Sequence, residues 1–224
     1  MKKNMKILYP LSYLLLFILT SFIYSIINQL PSDAVDVTTK IDEGIPFIKE
    51  FIIPYLLWYP FMYGLLIYYC FVDRKQYFVA ISSLISGKLI CFVVYVFWQT
   101  TVPRPDVVGD DIFANLVRFI YMHDQPVNCL PSIHVMTTFI MMIIVYNRKE
   151  DFKREYACVT VMGTLIILST LFTKQHAILD ALAGILVACA VYAAAQFMFN
   201  GGMSVQVNHI RTARMKKRMK NSDL

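Results

Sequence analysis

The stretch TKQHAILD, residues 173–180, joins a polar turn to the long apolar segment 177–199. His176 and Asp180 stand four residues apart, so in a helix both side chains lie on one face, one turn from each other. The aspartate can then hold one imidazole nitrogen and leave the other free to react. An ionisable pair at the mouth of a membrane helix indicates a functional site, and a hydrogen-bonded pair that anchors the helix start is the alternative.

The chain around this stretch is too apolar for a soluble domain of 224 residues, because 58% of its residues are hydrophobic and only 16% are charged. Its mean hydropathy is +0.55. This composition predicts a polytopic membrane protein. Since no Gly/Ser-rich linker or repeat divides the chain, we expect a single integral membrane domain over residues 1–224, with a basic tail at about 203–224. The five cysteines are scattered and form neither a disulfide framework nor zinc-type spacing.

Six apolar segments are long enough, or nearly so, to cross a bilayer as helices. They are residues 7–28, 52–72, 77–98, 131–147, 157–173 and 177–199. The sequence therefore predicts an all-α bundle of six transmembrane helices, the last of which ends at Gly201 and Gly202. The first segment is too long for the core of a signal peptide and has no small-residue cleavage site after it, so we expect a retained anchor.

Basic residues predict the orientation of this bundle. Fifteen of them fall on the termini and one set of loops, and only five fall on the opposite set. Both termini should therefore be cytoplasmic, and the loops 29–51 and 99–130 and the turn 174–176 should face outward. The net charge of +6 then reflects topology rather than binding of nucleic acid. The tail from Arg211 to Lys220 is either solvated or held on anionic headgroups.

One arginine follows the third span on a stiff backbone. Pro103 and Pro105 flank Arg104, and each proline fixes its own φ angle. Arginine suits bidentate binding of phosphate or carboxylate better than lysine does. An interfacial arginine facing lipid headgroups is the alternative, and the rigid frame favours a ligand contact.

A second histidine is predicted at the same membrane face. Pro131 suits the first turn of a helix, which places His134 at the outer end of the fourth span. The starts of the fourth and sixth helices are then ready anion sites. Arg104, Lys174 and the two histidines provide the nucleophile, acid and cations that metal-free phosphoryl transfer through a phosphohistidine requires.

Lys88 lies inside the predicted third span. A lysine at this depth must find a carboxylate, reach a water-filled cavity or lose its proton. It either serves the site or extends its ammonium towards an interface, and the sequence leaves both possibilities open.

Three motifs together resemble the signatures of the phosphatidic acid phosphatase type 2 superfamily, in both order and spacing. They are Arg104-Pro105, Pro131-Ser132-Ile133-His134 and Ser169…His176…Asp180. The resemblance covers roughly the region from Phe97 to Gly184. It implies these roles: His176 is the nucleophile, Asp180 its partner, His134 the acid and Arg104 a phosphate ligand, with help from the hydroxyl or backbone of Ser132.

Three positions depart from the family pattern. Phe97 replaces the usual lysine of the first motif, Ile133 the glycine of the second and Thr170 the arginine of the third. Two phosphate cations are therefore missing, and Lys174, or less readily Lys88, could compensate. This variant pattern resembles the branch that contains inositol phosphorylceramide synthases and related lipid phosphotransferases, which pass a phosphoryl headgroup from one lipid to an alcohol.

We therefore expect a metal-independent lipid phosphate phosphatase or phosphotransferase at the outer leaflet of the plasma membrane, with membrane lipids as partners, no cofactor and no nucleic acid. Two alternatives remain open. A zinc site could be built from His134, His176, Asp180 and His123. A non-catalytic transporter or lipid-binding relative would instead need ionisable groups near the bilayer midplane.

Overall fold

The computed structural model describes the backbone of residues 2–30, 33–148, 150 and 153–222, and the side chains of residues 10, 12–30, 33–148, 150 and 153–200. This part of the chain forms an all-α fold. Its helices are α1 (Lys2–Ile27), α2 (Lys40–Glu43), α3 (Ile52–Val72), α4 (Arg74–Phe97), α5 (Ile112–His123), α6 (Ile133–Tyr146), α7 (Lys153–Phe172) and α8 (Ile178–Ser222). Two short strands, β1 (Val35–Asp36) and β2 (Thr100–Thr101), pair in parallel.

Helices occupy each of the six apolar segments. Four stretches are long and apolar enough to cross a membrane: Lys49–Val72, Arg74–Phe97, Lys153–Phe172 and Ile178–Asn200. Ser12–Ile27 of α1 and all of α6 are apolar but shorter. The protein is thus an integral membrane protein by the length and composition of its helices, whereas the count of six spans and the orientation of the termini stay predictions.

Part of the evidence for orientation comes from residues whose side chains are not described. These are Lys2, Lys3, Lys6 and Lys149, together with the tail from Arg211 to Lys220. The expected contact between that tail and anionic headgroups therefore lies outside the described side chains.

The predicted end of the last helix at Gly201 and Gly202 is wrong. The backbone of α8 continues through both glycines to Ser222. Two glycines cost a helix only about 1 kcal/mol each relative to alanine, and the residues that follow include several methionine, lysine and arginine residues, which favour helix.

The starts of α6 and α8 lie against each other, and we call this end of the bundle the histidine end. The Ser132 backbone N–H donates to the Asp180 carbonyl across 3.0 Å. A Cβ at Gly184 would lie only 2.7 Å from the Ser132 carbonyl oxygen. The absence of a side chain at Gly184 therefore permits the close approach that joins the second and third motifs.

The two connections predicted as outward-facing loops contain structure that the sequence analysis did not assign. The 99–130 connection contains α5, whose N-cap Asp111 accepts hydrogen bonds from the backbone of Phe113 and Ala114. The buried side chains of Val117, Ile52 and Tyr55 form a small core between α5 and α3. This packing holds α5 at the histidine end, beside the site described next.

Candidate active site

His134 and His176 come together at the histidine end, with their ring centroids 5.8 Å apart. The ring of His134 packs against Trp58 at 4.5 Å and Tyr55 at 4.8 Å between centroids. The Trp58 indole is itself fixed, because its N–H donates to the Thr137 hydroxyl across 3.0 Å. Aromatic side chains of α3 thus orient the histidine at the start of α6, a contact that the sequence analysis did not anticipate.

Asp180 faces the His176 ring, although His176 lies two residues before α8 begins at Ile178 and not within the helix that the spacing argument assumed. Nδ1 of His176 lies 3.4 Å from Oδ2 of Asp180, and both side chains are buried. This is an ion-pair distance without hydrogen-bond geometry, and Oδ2 also accepts the Ala177 backbone N–H at 2.8 Å. The carboxylate nevertheless sits on the Nδ1 side of the ring, so the nitrogen left for chemistry is Nε2.

Both histidines line a cavity of about 410 Å³ between α1, α3, α4 and α5. Its wall is largely aromatic and aliphatic, with a few polar groups among these side chains. The polar and ionisable lining residues include Tyr24, Lys88, Asp124, Asn128, His134 and His176. A mostly apolar cavity with a few convergent polar groups is the usual form of a ligand site.

Arg104 lies beside this cavity and is held from several directions. Its guanidinium donates to the Tyr121 carbonyl at 3.2 Å, the Asp124 carbonyl at 2.7 Å and Oε1 of Gln175 at 2.6 Å. It also stacks on the Tyr121 ring at 4.4 Å. Three of its five N–H donors are thereby used. Because Gln175 precedes His176, these contacts tie the arginine of the first motif to the histidine of the third.

Lys174 reaches the histidine end, but its ammonium points to the first connection. It donates to the Asp42 carbonyl at 2.9 Å and the Ile45 carbonyl at 2.6 Å. Binding of phosphate by Lys174, as the sequence suggests, would require the ammonium to leave these carbonyls.

Asp42 is buried and caps the helix that follows the nucleophile motif. Its carboxylate accepts the Ile178 backbone N–H at 2.7 Å and both the backbone and hydroxyl of Thr39. Burial alone would raise the pKa of Asp42, but these hydrogen bonds and the charge of Lys174 outweigh it and hold the pKa below its ordinary value. The sequence analysis did not identify this role of Asp42. Thr39 with Asp42 is a capping-box pattern that could have revealed the short helix α2.

Ser132 serves the backbone at the start of α6. Its hydroxyl oxygen accepts the Val135 N–H at 3.3 Å, and the residue is buried. The hydroxyl therefore caps the helix that carries His134, and the backbone N–H holds Asp180, as described above.

Two polar residues of the cavity wall were missed by sequence reasoning. Asn128 is 2% exposed, its φ is 62°, and neither side-chain atom has a hydrogen-bond partner among the described residues. Asp124 accepts the Tyr24 hydroxyl at 2.9 Å. Burial raises the pKa of Asp124, against the Tyr24 hydrogen bond and the charges of Arg104 and His176. An asparagine in a left-handed conformation is common in turns, so nothing local distinguishes Asn128 in the sequence.

Among the described residues, the cluster of side chains that could bind a metal ion differs from the set expected from the sequence. Ligand atoms of Cys129, His176 and Asp180 lie within 4.8 Å of one another. Burial raises the pKa of the Cys129 thiol and so favours the protonated thiol when no metal is bound. His123, proposed with His134 for a zinc site, is exposed and has its Nδ1 2.7 Å from the Phe119 carbonyl.

Comparison with known proteins identifies one family. A family model described as the PAP2 superfamily matches residues 76–201, which is more than half of the chain and includes Arg104, His134, His176 and Asp180. Neither the curated proteins nor the solved structures give a significant match.

Proposed function

This chain belongs to the PAP2 superfamily, and we propose that it is a metal-independent lipid phosphate phosphatase or phosphotransferase that forms a phosphohistidine. Superfamily members are generally phosphoric ester hydrolases that act on lipid phosphates in membranes. The family assignment supports the reaction class, and the proposal adds the mechanism, the residues and the membrane face.

The observation that carries the proposal is the meeting of two histidines and one carboxylate at a cavity. His134 lies in the first turn of α6 and His176 just before α8, far apart in sequence, yet their rings are 5.8 Å apart. Asp180 faces Nδ1 of His176 and favours the tautomer in which Nε2 carries the lone pair. A nucleophile, an orienting acid and a second acid–base group are what covalent phosphoryl transfer requires.

In the proposed reaction, Nε2 of His176 attacks phosphorus, forming a P–N bond as the P–O bond to the leaving lipid alcohol breaks. His134 gives its proton to the leaving oxygen. In the second step His134 takes a proton from water or an alcohol, whose oxygen attacks phosphorus and breaks the P–N bond. The second step returns both histidines to their starting protonation states.

Arg104 is the proposed phosphate ligand. Two of its N–H donors remain after the contacts to Tyr121, Asp124 and Gln175. The starts of α6 and α8 add the positive ends of two helix dipoles. Together these groups can balance charge on the equatorial oxygens even though the family lysine is replaced by Phe97. Lys174 would join them only after giving up its carbonyl contacts.

The acceptor and location follow from the same proposal. The variant motifs around Ile133 and Thr170 favour the branch resembling inositol phosphorylceramide synthases, in which a lipid or inositol hydroxyl replaces water. The distribution of basic residues favours a site on the extracytoplasmic face of the plasma membrane. The transporter or lipid-binding alternative has less support, because the two histidines and Asp180 cluster at the histidine end rather than at mid-depth.

The proposal is tested with detergent-purified protein in metal-free buffer with excess chelator. Phosphate release from a panel of lipid phosphates is measured for the wild type, His176→Ala and His134→Ala. We expect chelator-resistant release that both variants lose. If water is a poor acceptor, we expect transfer of labelled phosphate to an added alcohol instead.

Two results would contradict this function. Release or transfer that disappears with chelator and returns with zinc would favour the metal site. No release or transfer with any lipid and acceptor, from folded protein, would favour the non-catalytic alternative.

A further inference from the structure

Lys88 is buried within α4 without a carboxylate partner in the described part of the chain. It is 3% exposed, and its ammonium donates to the Thr20 hydroxyl at 3.0 Å and the Ser21 hydroxyl at 3.1 Å. The ammonium also lies 4.5 Å from the centre of the Phe17 ring. An ammonium has three donors, so one remains after the two hydroxyls are satisfied.

This lysine lines the same cavity as His134 and His176, at a deeper level. Its partners Ser21 and Thr20 lie six and seven residues before Ile27, where α1 ends at the histidine end. At 1.5 Å per residue, the ammonium is held about 9–10 Å along α1 from that end. The cavity therefore offers a hydrogen-bond donor well inside the bundle, beyond the histidines that would face the phosphate.

We propose that Lys88 binds the acyl carbonyl oxygen of the lipid, so that the substrate is a phosphorylated glycerolipid or sphingolipid rather than an isoprenoid phosphate. This inference rests on the proposed function. With the phosphate at the histidines and the hydrocarbon among the helices, the ester or amide carbonyl lies between them. The remaining donor of Lys88 meets that oxygen.

The energetics favour this substrate class. A buried cation inside a membrane bundle is costly and is kept where it has a partner. An isoprenoid phosphate would place only hydrocarbon against the ammonium and leave its last donor unsatisfied. An acyl carbonyl supplies the missing acceptor without adding a second charge, which the largely apolar cavity wall would not stabilise.

Paired lipids that differ only in the carbonyl test the inference. The lipids are a diacyl phosphatidic acid, its dialkyl ether analogue and farnesyl phosphate, presented in the same detergent. Binding is measured in a His176→Ala background, so that lipid is not consumed, by the fluorescence of Trp58, which lines the cavity. Trp98, the other tryptophan, is replaced by phenylalanine. The diacyl lipid should bind about tenfold more tightly than the ether analogue, the equivalent of one hydrogen bond to a charged donor.

The variant Lys88→Met then measures the contribution of the ammonium to this preference. The preference for the diacyl lipid should fall to near unity, and farnesyl phosphate should bind at least as well as before. Lys75→Met on the same helix is the matched control, because Lys75 is exposed and contacts Asn200, and it should keep the preference. Should Lys88→Met fail to fold, the comparison of diacyl and ether lipids in the protein that keeps Lys88 still tests whether the carbonyl is bound, and equal binding overturns the inference.

Equal binding of diacyl and ether lipids by the protein that keeps Lys88 would overturn the inference. An unchanged preference for the diacyl lipid in a folded Lys88→Met protein would do so as well. Turnover distinguishes these failures from failure of the proposed function. Carbonyl-dependent binding without turnover of any lipid would support Lys88 as a carbonyl ligand while contradicting the enzymatic proposal.

Discussion

Two neighbouring regions of the histidine end differ in whether their polar side chains are hydrogen-bonded to the protein. In the first, which we call the collar, Asp42, Lys174 and Arg104 are each bonded to two or more groups of the protein. In the cavity beside it, Asn128 has no side-chain partner and Nδ1 of His176 has no hydrogen bond within the described residues. Collar groups are used in holding the fold, and cavity groups are left for a ligand.

This difference predicts separable effects of substitution. Loss of a satisfied collar group leaves its partners unpaired and should lower stability. Loss of an unsatisfied cavity group should lower activity while leaving stability unchanged or improved, because function is maintained there at a cost in stability. Arg104 stands between the two cases, since it has both bonded and remaining donors.

The largest effect is expected at the nucleophile. His176→Ala should reduce turnover by about 10³-fold or more, because no covalent intermediate can form, and the melting temperature should change little. His123→Ala is the control, since His123 also lines the cavity but is exposed, and its Nδ1 lies 2.7 Å from the Phe119 carbonyl. If turnover by His176→Ala stayed within tenfold of wild type, the cavity histidine would not be needed for activity, and the contrast between collar and cavity would fail.

Arg104 should show loss of both activity and stability. Arg104→Met removes a phosphate ligand and leaves the carbonyls of Tyr121 and Asp124 unpaired, so we expect about 100-fold lower turnover and a lower melting temperature. Arg104→Lys should recover part of the stability but little activity, because a lysine lacks the planar fork. Arg118→Met is the matched control in the same connection. Full activity in a folded Arg104→Met protein would mean that this arginine belongs only to the collar.

Asn128 tests the cavity most cleanly. Asn128→Ala should lower turnover about tenfold if the amide binds substrate, the equivalent of one lost hydrogen bond. The melting temperature should fall only slightly, because no hydrogen-bond partner among the described residues is lost, and alanine is only moderately less favourable than asparagine at a φ of 62°. Asn115→Ala, at an exposed position of α5, is the control. A large drop in melting temperature with unchanged turnover would place Asn128 with the structural residues.

Asp42 tests the collar and should show the smallest effect on chemistry. Asp42→Asn should cost about 1–2 kcal/mol of unfolding free energy, because an amide nitrogen in place of Oδ2 cannot accept the hydrogen bonds from the Thr39 backbone and hydroxyl. The pKa of Asp42 is lowered in the folded protein, so its stabilisation is complete above the unfolded pKa of about 3.9 and is lost as pH falls through the folded value.

Thermal unfolding measured as a function of pH tests whether the stabilisation by Asp42 is lost on acidification. The gap between wild type and Asp42→Asn should be constant near neutral pH and should shrink below about pH 4. Glu43→Gln changes the next, exposed carboxylate of α2 and should give a wild-type profile. A gap that widens on acidification would contradict the assignment of Asp42 as a charged cap.

Local patterns explain why the sequence predicted the helices and the catalytic candidates. Apolar segments long enough for a bilayer mark the helix positions, and the four-residue spacing of His176 and Asp180 keeps the two side chains close. The family motifs add His134 and Arg104. All four depend on short-range spacing or on a recognisable signature.

The remaining features arise from contacts between distant segments, which no local pattern specifies. Asp42 caps α8 from 136 residues away, and Lys174 turns towards the same connection. Trp58 packs on His134 from a different helix, and no spacing in the sequence links the two residues. Asn128 is notable only for the partners it lacks, which a sequence cannot reveal. Where a charged side chain finds its partner is decided by the tertiary fold.

The central claim is most directly tested by trapping the phosphorylated enzyme. Purified protein is mixed with lipid carrying labelled phosphate, quenched in alkali, where a phosphohistidine survives, and digested for peptide mass spectrometry. We expect the label on the peptide containing His176 in the wild type and none in His176→Ala. Label on a different residue, or turnover without any labelled histidine, would contradict the phosphohistidine mechanism.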